Sequence, residues 1–110
     1  MKPAEIYLDT NEKYGFSIDE DKAKDFLEAW EMLLVTANLL GYNYYFDFQV
    51  YSKYSSFDVC FGNVDTHLVI EFNLIGFSLF NMKVTFNDDE SKVFRFSNFA
   101  ECFKECQDLL

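Results

Sequence analysis

The stretch Leu39-Leu40-Gly41-Tyr42-Asn43-Tyr44-Tyr45-Phe46-Asp47-Phe48-Gln49-Val50-Tyr51 decides the fold, because the hydrophobic period changes inside it. Up to Leu40, apolar residues recur at Ala23, Phe26, Leu27, Trp30, Leu33, Leu34, Ala37 and Leu40. That is the spacing of one helix face. Beyond Gly41, Tyr44, Phe46, Phe48 and Val50 alternate with Tyr45, Asp47, Gln49 and Tyr51. A period of two marks a half-buried strand. Gly41 stands at the change and is a good stop, since glycine can take the left-handed conformation that ends a helix.

Upstream, the pattern predicts a helix over 18–40. Ser17 followed by Ile18-Asp19-Glu20 fits a capping box, and Asp19, Glu20 and Asp21 suit the positive end of the helix dipole. Residues 1–16 carry the least pattern, and Ile6, Tyr7 and Leu8 are read as an arm or short strand.

Downstream, a polar turn at Ser52 to Ser56 precedes a strand with Phe57, Val59 and Phe61 on one face. Gly62-Asn63 mark a turn. Thr66 to Asn73 is the most apolar strand and is read as central. After a turn at Gly76, Phe80, Met82, Val84 and Phe86 share a face, while Phe77 and Leu79 have the opposite parity. That mismatch predicts a bulge near residue 79. A charged turn, Asn87 to Ser91, leads to a short strand from Val93 to Phe96. Ser97 is then read as the N-cap of a terminal helix with Phe99, Cys102, Phe103, Cys106 and Leu110 on one face. Short turns imply antiparallel neighbours, since parallel pairing needs long crossovers. The predicted architecture is α+β: helix, four- or five-stranded antiparallel meander, C-terminal helix. Both helices cover the Phe-rich sheet face in a two-layer domain.

The chain has 110 residues and is 50% hydrophobic, a size that suits one domain with a core able to fold without metal or disulfide. Aromatics make up 20%, with 14 Phe, 7 Tyr and 1 Trp. Phe, Tyr, Asn, Lys and Asp share AT-rich codons, so genome composition accounts for much of this bias. Nine bases against 19 acids leave a net charge of -10. This excludes a basic footprint for nucleic acid and opposes docking on an anionic membrane. No apolar run reaches the roughly 18 residues of a membrane span. The segment Met1-Lys2-Pro3-Ala4-Glu5 has no apolar signal core behind it, so the expected location is the cytoplasm, that of the host cell if the gene is phage-borne.

Catalytic equipment is sparse. His67 is the lone histidine, and no nucleophile motif accompanies it. Cys60, Cys102 and Cys106 are read as reduced thiols. A zinc site would require Cys60 and His67 of the sheet to meet Cys102 and Cys106 of the helix, and packing of the latter pair in the core accounts for them better. The acids around Asp19 and Asp21, and those at Asp88, Asp89 and Glu90, do not continue into a calcium loop. Isolated glycines make no phosphate loop. The expectation is a non-catalytic protein without cofactor or metal.

The charge is unevenly placed. Residues 1–31 hold nine acids against four bases, and residues 88–110 hold six against three. Glu20, Asp21, Asp25, Glu28 and Glu31 lie opposite the core face of the first helix, interrupted by Lys24. Asp21, Asp25, Glu28 and Glu31 form a ladder with about 5 Å axial steps, a loose imitation of a phosphate row. An ordinary solvated face is the simpler alternative. Asp88, Asp89 and Glu90 make a second cluster. Past Glu31 the outward stripe turns apolar, at Met32, Val35 and Leu39. The terminal helix is the expected cover for these residues; otherwise they form a docking patch or a homodimer seam. The sheet face away from the helices is expected to present Tyr45, Asp47, Gln49, Tyr51, Asp58, His67, Glu71, Lys83, Thr85 and Arg95.

In composition the chain resembles phage-encoded inhibitors, including anti-CRISPR and DNA-mimic proteins, and toxin-immunity proteins. The expected function is inhibition of a basic, nucleic-acid-binding effector through the acidic clusters. Immunity against a nuclease toxin and a dimeric, non-catalytic adaptor are the alternatives.

Overall fold

The computed structural model describes the backbone of residues 20–50, 55–75 and 78–110, and the side chains of 22–47, 55–75 and 79–110. Helix α1 (Glu20–Leu39) leads into five strands, β1 (Asn43–Val50), β2 (Ser55–Gly62), β3 (His67–Ile75), β4 (Ser78–Phe86) and β5 (Lys92–Arg95). A 3-10 turn (Phe96–Asn98) then opens helix α2 (Phe99–Leu109). The strands form one antiparallel sheet in the order β1-β2-β3-β4-β5, a meander with β3 at its centre. The expected α+β architecture is the observed one, with five strands.

Helix α1 buries Phe26, Trp30, Leu33, Leu34 and Ala37, which recur on one side of a 3.6-residue turn. It ends where Gly41 adopts a φ of 79°. The Tyr42 amide donates to the Ala37 carbonyl at 2.9 Å, and the Gly41 amide to the Asn38 carbonyl at 3.1 Å. These two bonds are the Schellman pair that satisfies the last free carbonyls of a helix. Leu40, expected on the core face, lies in the turn between Leu39 and Gly41 and is exposed. The Ser17 cap and the arm over residues 1–16 lie outside the described residues, as do the turn around Gly76 and the side chains of Phe48, Gln49, Val50, Tyr51 and Phe77.

The sheet turns Phe57, Val59 and Phe61, Leu68, Ile70, Phe72 and Leu74, Leu79, Met82 and Val84, and Phe94 toward the helices. Asn73 pairs with Asn81 while Leu74 pairs with Leu79, so Phe80 is an extra residue in β4. This is the bulge expected near residue 79. It also reverses one expectation: Phe80 is squeezed off the core face to 38% exposure, and Leu79 takes the inward place. The Asn73 amide nitrogen donates to Asn81 Oδ1 at 2.8 Å beside it. Ser97 does not cap α2. It lies within the 3-10 turn, and Asn98 occupies the cap position with no side-chain hydrogen bond. Phe96 and Phe99, which stack on each other at 5.8 Å and both meet Phe26, hold that corner by packing instead.

Both helices lie on the same sheet face and run in the same direction. Phe26 meets Phe99 at 5.5 Å, Trp30 meets Phe103 at 5.4 Å, and the Tyr42 hydroxyl donates to the Leu110 carbonyl at 3.0 Å. Phe72, in the middle of β3, touches rings from both helices and from β2: Phe26, Trp30, Phe57 and Phe103. Edge-to-face contacts of this kind add to the area that large rings bury.

Removing this ring should therefore cost more than an average core truncation. Phe72→Ala is expected to lower the urea unfolding free energy by about 3–5 kcal/mol, whereas Phe72→Leu, which keeps most of the volume, should lose markedly less. At Gly41 a Cβ would meet nothing within 4 Å. Gly41→Ala should thus show the conformational cost alone, about 1–2 kcal/mol.

Candidate functional site

The outward side of α1 is set by how its inward side packs. With Phe26, Trp30 and Leu33 against the sheet, Asp25, Glu28 and Glu31 are exposed to solvent. Their backbone positions rise in steps of about 4.5 Å along the axis. Among the described residues the ion pair that forms is Lys92–Glu105 at 2.8 Å, and it lies elsewhere. Glu20 and Asp21 open the helix, and their side chains lie outside the described residues.

The same stripe continues into Met32, Val35 and Leu39, which are 64%, 51% and 80% exposed. The expectation that the terminal helix covers them is therefore overturned. Helix α2 lies beside α1 rather than over its back, because its own apolar stripe (Phe99, Cys102, Phe103, Cys106) must also reach the sheet. The flank they share is marked by Gln107, whose amide nitrogen donates to Thr36 Oγ1 at 3.4 Å. Thr36 in turn donates to the Met32 carbonyl at 2.9 Å. A shallow concavity of about 390 Å³ runs along the outward stripe, lined by Glu28, Glu31, Met32, Val35 and Thr36. Neither helix carries a base in its last turn, so the partial negative charge of both C-terminal ends has no compensating side chain there.

Asp88, Asp89 and Glu90 are exposed on the β4–β5 turn. Asn87 and Asp88 have φ of 49° and 61°, and the Asp89 amide donates to the Phe86 carbonyl at 2.9 Å. Positive φ at both central positions is the tight hairpin turn that asparagine and aspartate tolerate best. Asn87 also clamps β3: its Oδ1 accepts the His67 amide at 2.7 Å, and its own amide donates to the His67 carbonyl at 2.6 Å. This turn lies at the sheet end where Gly62 pairs with His67 and α1 finishes. Asp25 lies toward the other end, where Phe26 meets Phe96 after β5, and Glu28 and Glu31 lie between the two ends on the outward side of α1. The fold thus does not join the two acidic clusters into one surface.

The outer sheet face carries a feature that alternation alone did not disclose. Cross-strand register sets Asp47 opposite Asp58, Asp58 opposite Glu71, and Glu71 opposite Lys83, a row of three carboxylates ending in one ammonium. Asp58 is half-buried, and its buried Oδ1 has no hydrogen-bond partner among the described residues. Burial first, then the Glu71 and Asp47 charges, pushes its carboxyl up to about 6. Ser56 and Cys60 share this face and are buried, so the face is less open than its polarity implies.

Cys60 lies on the outer face opposite Tyr45 and Val69, whereas Cys102 and Cys106 pack inside against the other face. The sheet stands between the two cysteine groups, so they do not converge on one metal. Contact with Cys102, reinforced by burial, pushes the Cys106 thiol far up, which keeps it protonated and unreactive. Contact with Cys60 likewise raises the exposed Tyr45 hydroxyl above its ordinary value. Tyr45, Cys60, Asn63, Thr66 and His67 border a hollow of about 190 Å³ at the β2–β3 turn. His67 there is exposed, and its backbone bonds Asn87. Asn63 Oδ1 is occupied in accepting the Asp65 and Thr66 amides. No protein-family model matches the chain, and neither a curated protein nor a solved structure matches it significantly.

The raised Asp58 carboxyl gives stability a definite sign with pH. A group whose folded value exceeds its unfolded value of 3.8 stabilises the fold when protonated. Its contribution is complete below the unfolded value and is lost as pH rises through about 6. Asp58→Asn is expected to raise the urea midpoint at neutral pH and to flatten its dependence between about pH 4 and 6 relative to wild type. A variant curve parallel to wild type would refute this assignment.

Proposed function

We propose that this protein is a small acidic inhibitor that binds a basic, nucleic-acid-binding partner and occupies the surface that would otherwise hold phosphates. One observation carries the reading: Asp25, Glu28 and Glu31 stand exposed on the outward face of a helix that the core holds in place. The backbone of a packed helix is already fixed, so binding orders side chains alone, which favours a helix over a mobile acidic tail. The net charge of -10 supports the same reading, since it steers encounter with a positively charged groove. The partner is a basic protein, not nucleic acid or a membrane, because both of those repel a surface of this sign. The Asp88–Glu90 turn, placed apart from this face, contributes to this long-range field without belonging to the contact.

Charge reversal tests the reading. Immobilised wild-type protein should retain a basic, nucleic-acid-binding protein from its host at about 50 mM salt and release it by about 200 mM. Added duplex DNA should also displace that partner. The double variant D25K/E28K should retain it at least about tenfold less tightly. Retention that persists through the variant, the salt and the competing duplex would show that the contact is not phosphate-like.

A further inference from the structure

The apolar half of the α1 stripe has no role in phosphate imitation, yet it is continuous with the acidic half. Met32, Val35 and Leu39 recur at three- and four-residue intervals, the pattern that receives another helix. The concavity is lined by Glu28 and Glu31 together with Met32 and Val35, so one occupant meets both charge and apolar surface.

We infer that this groove takes one amphipathic, basic helix of the partner protein. Its apolar residues sit on Met32, Val35 and Leu39, and its Lys or Arg side chains reach Glu28 and Glu31. The inference rests on the acidic face of α1 being the contact surface, and it adds the chemistry of the occupant. Charge complementarity argues for a basic helix along the whole stripe. Exposed carboxylates line one end, and the other end is the C-terminus of α1, whose last turn has no basic residue. Charge also argues against a second copy, which would bring a further -10 to the same place. Area gives the same answer: a few aliphatic side chains on one helix fall well short of the roughly 800 Å² per partner of a stable interface.

Two synthetic helix-forming peptides of identical Leu and Lys composition test the inference. One places Leu at helical spacing on a single face, and the other scrambles the order. Fluorescence anisotropy with the full chain should show the patterned peptide binding at least about tenfold more tightly than the scrambled one. M32Q/V35Q should erase that difference while leaving the weak, salt-sensitive binding of the scrambled peptide intact. E28Q/E31Q should weaken both peptides. Glutamine is a good helix former at exposed positions, so both variants are expected to keep the wild-type circular dichroism.

Equal, salt-sensitive binding of the two peptides would overturn the groove and leave the acidic contact standing. Patterned binding that M32Q/V35Q does not diminish would overturn it as well, by placing the site elsewhere. A wild-type dimer in sedimentation that becomes monomeric in M32Q/V35Q would assign the groove to a second copy. Failure of both peptides to bind at low salt would overturn the groove and the acidic contact together.

Discussion

The packing of Phe72 against Phe26, Trp30 and Phe103 governs the rest of this molecule. One ring in the central strand meets a ring from each helix, and those rings also meet one another. Large side chains in close contact leave α1 little freedom to rotate about its axis. That rotation decides which residues face solvent. If Phe26, Trp30, Leu33 and Ala37 are inside, then Glu28, Met32, Val35 and Leu39 are outside. The proposed contact surface is thus a consequence of the core, although none of its residues belongs to it.

The three acidic regions differ in character. The β4–β5 turn carries three exposed acids, and the exposed aliphatic side chain of its hairpin, Val93, stands alone rather than in a stripe. The Asp47–Asp58–Glu71 row centres on a half-buried carboxyl, Asp58, which burial and then the two neighbouring charges raise. The stripe on α1 joins exposed charge to exposed apolar surface. Charge alone gives fast encounter and weak hold; apolar burial supplies duration. The parallel course of the two helices reinforces the pattern, because both negative C-terminal ends come to the same end of the sheet.

Several elements were legible from residue spacing. The switch at Gly41 marks the end of α1, the parity change at Leu79 marks the bulge, and the apolar run in β3 marks the centre of the sheet. The outward placement of Asp25, Glu28 and Glu31 also follows from spacing, as it depends only on the 3.6-residue turn. Other assignments failed where a neighbour intervened. Phe80 has the right parity for the core, but the extra residue in β4 turns it out. Ser97 has the right chemistry for a cap, but the stacked Phe96 and Phe99 settle that corner. Cys60 and Ser56 are buried on the face that alternation assigns to solvent.

By itself, the amino-acid sequence determined the order of elements, the core face of each and the sign of the field, because these depend on backbone periodicity and on counting charges. Tertiary structure alone decided that Met32, Val35 and Leu39 stay uncovered and that the two acidic clusters stay apart. It likewise decided that Asp58 faces two other carboxylates. The reason is common to all three. Each depends on how separate elements meet, through strand register and the sideways placement of α2 beside α1, and those relations come from packing among residues far apart in the chain.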